Sequence, residues 1–153
     1  KEEIIEASKK IPIACSSNFS LGVAFLKKVV YAAAKTFPTF DAEIIELHHR
    51  FKKDSPSGTA KELFDEVKSA RGYAVEVDGR KGIGVRSRGE VGISPARLGN
   101  HVGTHSVIFC GDEEEIVLTH RAFSRSAFAK GAIGCLEVLL SKKHGLFAPE
   151  DLI

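Results

Sequence analysis

The chain has 153 residues, 43% hydrophobic and 27% charged, a profile that fits one globular domain with a sizeable core and excludes a disordered segment. Its net charge is only +2, with basic and acidic residues interleaved, which argues against a nucleic-acid partner. No apolar run is long enough to span a membrane and no signal-peptide pattern opens the chain, so a cytoplasmic protein with no membrane partner is expected.

Residues 1–10, KEEIIEASKK, read as the end of a helix; because no methionine opens the chain, a preceding segment is expected. IPIACSS, residues 11–17, is a short apolar run suited to a buried strand. A long helix follows Asn18-Phe19-Ser20, capped by Asn18 or Ser20 and ended by Pro38. DAEIIELHH, residues 41–49, reads as a strand, so His48 and His49 should face opposite sides unless the strand ends or bulges between them.

FKKDSPSG is a loop, with Asp54 expected to order it through backbone amides or nearby lysines. TAKELFDEVKSARG then reads as a helix: Thr59 and Glu62 have capping-box spacing, Ala60, Leu63, Phe64, Val67 and Ala70 form one apolar face, and Gly72 stops it. YAVEV alternates and runs into the Asp78-Gly79 turn. IGVRSRGEVG and THSVIFC are strand-like, and SPARLGNHVG between them reads as a loop that comes close to something. EIVLTHRAF completes a hairpin with THSVIFC. SRSAFAKGAIGCLEVLLSKK is a second long helix, and HGLFAPEDLI is a tail. The pattern gives an α/β (α+β-like) fold, with a mixed, mostly open sheet covered by helices.

Cys15, Cys110 and Cys135 are odd in number and far apart; the expectation is buried small hydrophobes in a reducing compartment, not a metal site. His101 and His105 are four apart, but without a carboxylate cluster or an H-E-x-x-H pattern no metal is assigned.

The chemistry concentrates in ELHHRFKKDSPSGTA. A helix N-terminus at Pro56-Ser57-Gly58-Thr59 offers amide donors and a partial positive charge to a carboxylate or phosphate, although the same residues make an ordinary cap. Lys52 beside such a terminus is repelled unless an anion lies between them. A ligand with two separated carboxylates would use both ends, one on Ser57-Gly58-Thr59 and one on Lys52 and a histidine. Because histidine as a residue type titrates near neutrality, His48 is a candidate general acid, or else a histidine satisfied at a strand end. Arg97 and Arg125 are weaker anion candidates. The Asn18-Phe19-Ser20 turn after a buried strand is a candidate cofactor contact, or plain capping.

His48-His49-Arg50-Phe51-Lys52-Lys53-Asp54-Ser55-Pro56-Ser57-Gly58-Thr59 resembles the H-H-x-x-K-x-D-x-P-S-G-T signature of the dihydrodipicolinate reductase family, enzymes of diaminopimelate and lysine synthesis. Asn18-Phe19-Ser20-Leu21-Gly22-Val23 resembles its N-F-S-x-G-V. Arg97-Leu98-Gly99 with Gly103 and His105 resembles its R-x-G-x-x-x-G-x-H loop. His120, Ser124-Arg125, Phe128-Ala129, Gly131-Ala132 and the tail agree as well, so the resemblance covers nearly the whole chain.

The resemblance implies a two-domain Rossmann-type reductase. Residues 1–19 would end the nucleotide-binding domain, 20–124 would form the substrate-binding and oligomerisation domain, and 125–153 would return to the first. It implies NADPH or NADH as hydride donor to a cyclic dicarboxylate imine. His48 would protonate the resulting enamine and Lys52 would assist or bind a carboxylate. His49 and Ser57-Gly58-Thr59 would hold the carboxylates, and Ser16, Ser17, Asn18 and Phe19 would lie against the nicotinamide. It further implies a homotetramer. The chain departs from the family in having Thr104 where Glu usually precedes the loop histidine. The glycine-rich fingerprint is also missing: no G-x-G-x-x-G follows a strand. An isolated dicarboxylate-binding and oligomerising module without catalysis is the alternative reading.

Overall fold

The computed structural model describes residues 2–153. The chain divides into two compact units: the stretch up to Phe25 with Ser124–Ile153, and Leu26–Phe123.

The second unit is built on a five-stranded sheet. Its strands are β2 (Asp41–His48), β3 (Val75–Asp78), β4 (Glu90–Arg97), β5 (Gly103–Cys110) and β6 (Glu115–Ala122), in the order β3-β4-β2-β5-β6. β3, β4 and β2 run parallel, while β5 and β6 are antiparallel additions, so the sheet is mixed and open. Strand alternation decides what faces the helices. Ala42 and Ile44 of β2, Val91 and Ile93 of β4, and Val107 and Phe109 of β5 are fully buried on one face. Against them pack Leu26, Val30 and Ala34 of α2 (Leu21–Thr36) and Ala60, Leu63, Phe64 and Val67 of α3 (Gly58–Arg71). The apolar face expected for α3 is therefore the one that builds the core. The other sheet face is open: Ile45 is 37% and Val117 50% exposed.

α3 begins one residue before Thr59. Ser57 is its N-cap, its hydroxyl accepting from the Ala60 amide, because Ser57 is the residue still in extended backbone while Thr59 is already helical. Gly72 ends the helix in the left-handed conformation, φ 78°, as expected.

Two expectations are corrected between Gly79 and Gly103. IGVRSRGEVG is not a strand along its length: residues 83–88 form no strand, and Ile83 and Val85 are fully exposed. Arg86 instead pairs with Asp41 and Glu43 and bonds the Ala42 and Glu90 carbonyls, tying the segment down through its side chain. The strand lies later, as β4, and takes in Ser94 to Arg97 from the expected loop. Pro95 had suggested a loop. It is accommodated because β3 pairs only as far as Ile93, leaving β4 an edge on that side from Ser94 onward. The β5–β6 hairpin forms as expected, Cys110 opposite Glu115.

In the first unit, α1 (Glu2–Ser8) leads to β1 (Pro12–Ala14), which pairs in parallel with β7 (Gly145–Phe147). The tail is thus partly a strand, followed by a short 3-10 turn at Pro149–Asp151. α4 covers Ser126–Leu139, shorter than the helical pattern. Of the cysteines only Cys135 is buried; Cys15 and Cys110 are exposed, because β1 stops before Cys15 and Cys110 closes β5 on the outer side of the alternation. No helix among the described residues is long and apolar enough to cross a membrane.

Candidate active site

The inward face of β2 changes character along its length. Ala42 and Ile44 are core, but the next two inward positions are Glu46 and His48, buried at 0% and 8% exposure. Register supplies their neighbours: Glu46 lies opposite His105 of β5, and His48 opposite Arg97 of β4. The core face therefore turns into a buried polar cluster at the carboxyl end of β2, the end where open α/β sheets bind ligands.

Glu46 is the hub of that cluster. One carboxylate oxygen accepts from His48 Nδ1. The other accepts from the Ser57 amide and from Arg97 Nη2, both at 3.0 Å. Burial alone would raise the Glu46 carboxyl, but the bonds from His48, Arg97 and Ser57 outweigh it and hold it down at about 2. Arg97 also donates to the Asp54 carbonyl at 2.7 Å and the Ala96 carbonyl at 2.8 Å. Its two terminal nitrogens thus bond the protein's own oxygens and clamp the loop before α3.

His105 lies 5.0 Å from His48, ring centroid to centroid, edge to face. Its Nε2 is 3.1 Å from Ser57 Oγ. Burial first, then the charge of His48, pushes its pKa down to about 3, so it is neutral and supports Ser57 rather than an anion. His101 does not join it; His101 Nε2 bonds Thr104 Oγ1 at 2.7 Å, giving Thr104 a local role in the loop.

Glu46, His48 and His105 have candidate ligand atoms within 4.8 Å of one another. The chemistry of this set does not fit a metal. Glu46 already accepts three hydrogen bonds, Arg97 brings a positive charge against it, and Ser57 occupies His105 Nε2.

Gly103, the first residue of β5, packs against His48: a Cβ there would stand 3.2 Å from Nε2. The 98–102 loop runs along the same edge, Leu98 N donating to His48 O at 2.9 Å and Arg50 N to Gly99 O at 3.1 Å. The glycine-containing link thus comes close to the backbone on either side of His49. Lys52 Nζ bonds Asp54 Oδ1 at 2.8 Å, the lysine contact expected to order the loop. His49, half-buried, turns its ring toward Phe51, 6.4 Å between centroids, whereas His48 faces Glu46 and His105. Ser57, Gly58 and Thr59 form the start of α3, where Glu46 accepts from the Ser57 amide and Ser57 Oγ from the Ala60 amide.

In the first unit, Ser16 to Phe19 lie just past β1. Ser16 Oγ accepts from Asn18 N at 3.1 Å and donates to Asn18 O at 2.9 Å, while Asn18 Oδ1 accepts from Ser20 N at 2.9 Å. Ser20 Oγ accepts from Val23 N at 3.4 Å, so Ser20 caps α2. Gly131 of α4 packs so closely on this turn that a Cβ would collide with the Phe19 carbonyl oxygen.

The role of Glu46, the closeness of Gly103 to His48 and the support role of His105 escaped the sequence reading. Period-two counting back from His48 would have put Glu46 on the same inward face.

Residues 22–153 match the family model described as dihydrodipicolinate reductase, C-terminus. The chain is 43% identical over 152 residues to the 4-hydroxy-tetrahydrodipicolinate reductase of Brachyspira hyodysenteriae, covering 99% of this chain and 66% of that protein. It is 46% identical over 151 residues to the Campylobacter lari protein of the same name, covering 96% and 62%. The dipicolinate-bound dihydrodipicolinate reductase from Paenisporosarcina sp. TG-14 superposes with a TM-score of 0.76 at 25% identity, over 96% of this chain and 57% of that one. The chain therefore spans only about two thirds or less of the length of these relatives.

Proposed function

The chain belongs to the dihydrodipicolinate reductase C-terminal family, and on that basis we propose that it contributes the substrate site of a reductase in diaminopimelate and lysine synthesis. The reaction is NAD(P)H-dependent reduction of a cyclic dicarboxylate imine, dihydrodipicolinate or its hydroxy-tetrahydro form, to tetrahydrodipicolinate. The observation that carries this reading is the buried Glu46–His48 pair set beside the α3 N-terminus. A proton donor and an anion cradle stand at the same end of one sheet.

His48 delivers the proton to the enamine formed by reduction, through Nε2, the nitrogen that does not face Glu46. Gly58 and Thr59 amides and the Ser57 end of α3 hold one carboxylate, and the helix terminus favours its negative charge. Lys52 neutralises the other carboxylate or assists proton transfer, with His49 as its neighbour. Lys52 is already oriented by Asp54.

The nicotinamide cofactor, when bound, supplies the hydride. Ser16, Ser17, Asn18 and Phe19 suit its nicotinamide end: they form a small polar turn at the carboxyl end of a parallel strand, held by their own hydrogen bonds. No pyrophosphate contact is assigned to these residues, since the 153 residues contain no G-x-G-x-x-G. By the same reading, the first unit belongs to the nucleotide-binding domain and the second is the substrate and oligomerisation domain.

The open sheet face with Ile45 and Val117 supports assembly into a homotetramer, in the cytoplasm. The test is reduction of the imine with NADPH and NADH by the intact protein, beside His48→Gln. Turnover that the substitution removes supports the reading. Dicarboxylate binding without turnover favours the non-catalytic module.

A further inference from the structure

We infer that Glu46 is the positioning residue of this site, fixing which nitrogen of His48 carries the proton and locking that choice to the loop before α3. The inference rests on the reading of His48 as proton donor. His48 Nδ1 faces one Glu46 oxygen, an acceptor only, so Nδ1 must be the protonated nitrogen and Nε2 is left for the ligand. The other Glu46 oxygen holds the Ser57 amide and Arg97, and Arg97 holds the Asp54 carbonyl. One carboxylate thus sets the orientation of the proton donor and the position of the cradle that takes a substrate carboxylate.

The arrangement makes Glu46→Gln informative. A glutamine has one oxygen and one NH2 group. The Ser57 amide and Arg97 are both donors, so the glutamine oxygen stays on them and the NH2 turns to His48. His48 Nδ1 must then become an acceptor, and the neutral ring switches to the Nε2–H form. In the wild type the donor is the imidazolium, which gives up its Nε2 proton and keeps Nδ1–H on the Glu46 carboxylate; in the variant that imidazolium would set Nδ1–H against the NH2 group, so the form that can give up an Nε2 proton is disfavoured. The loop keeps its anchor, so a purely structural role for Glu46 predicts little change.

The experiment uses intact protein labelled with 15N-histidine, with His48 identified by its loss in His48→Gln, beside steady-state kinetics on the imine with NADPH. The wild type should show neutral His48 in the Nδ1–H form and Glu46→Gln in the Nε2–H form. In Glu46→Gln, kcat should fall about 100-fold, the scale of a lost general acid, with KM within about threefold. An Nε2–H form in the wild type overturns the inference even if the variant fails to fold. Wild-type kcat and an unchanged tautomer in a folded Glu46→Gln also overturn it. A tautomer switch in a protein with no imine reductase activity supports the positioning by Glu46 and overturns the functional reading on which its role in turnover rests.

Discussion

Ser57 Oγ and His105 Nε2 lie 3.1 Å apart, joining the cap of α3 to β5 inside the protein. The same hydroxyl accepts from the Ala60 amide at 3.2 Å. The N-terminus of α3 is thus tied to β5 through a histidine that burial keeps neutral.

That neutral histidine makes stability depend on pH. The folded pKa of His105, about 3, is below its unfolded 6.5, so below 6.5 the unfolded chain binds more protons. The stability contributed by keeping it neutral is present above 6.5 and is lost as pH falls toward 3. Glu46, about 2 against 4.5, has the same sign, with its loss beginning near 4.5. Urea unfolding from pH 8 to 4 should show stability declining from about pH 6.5, with the first part of the decline reduced in His105→Gln and the remainder of it supplied by His120, which burial also holds below its usual value. Parallel curves would contradict this.

Lys52→Ala should separate chemistry from folding. Its partner Asp54 is exposed and an exposed pair contributes about 1 kcal/mol at most. The urea midpoint should hardly move, while turnover of the imine falls about 100-fold or more. Near wild-type turnover would remove Lys52 from the mechanism.

Gly103→Ala places a methyl group 3.2 Å from His48 Nε2. His48 is held by Glu46 and has little room to retreat. Turnover should drop about tenfold through displacement of the ring, read from kcat in a variant with wild-type circular dichroism.

Gly131→Ala acts in the first unit. Its Cβ would meet a backbone oxygen, that of Phe19, which cannot swing aside as a side-chain tip would. Overpacking of this kind costs about 1–3 kcal/mol. A lower unfolding midpoint and a higher KM for NADPH, with dicarboxylate affinity retained, are the expected results.

Much of the fold was legible because periodicity is a local signal. Ala60, Leu63, Phe64 and Val67 announced the buried face of α3, and the strand-like runs THSVIFC and EIVLTHRAF announced the β5–β6 hairpin. Errors arose where tertiary pairing overrode local cues. Pro95 read as loop, yet the short reach of β3 leaves its position unpaired on one side. Ile83 and Val85 read as strand, yet Arg86 anchors that stretch by side-chain bonds. In the site, His48, Lys52 and Ser57 stood out in one contiguous run. Glu46 did not, and Gly103 and His105 stood out only as members of a loop motif, because the roles of all three come from register across three strands.

The most direct test of the account is calorimetric titration of the intact protein, with NADPH present, by pyridine-2,6-dicarboxylate, beside Lys52→Ala. The account predicts saturable one-site binding by the wild type, weakened at least tenfold in the variant. A folded wild type that does not bind, or a variant that binds equally well, would contradict the dicarboxylate site at Lys52 and the start of α3.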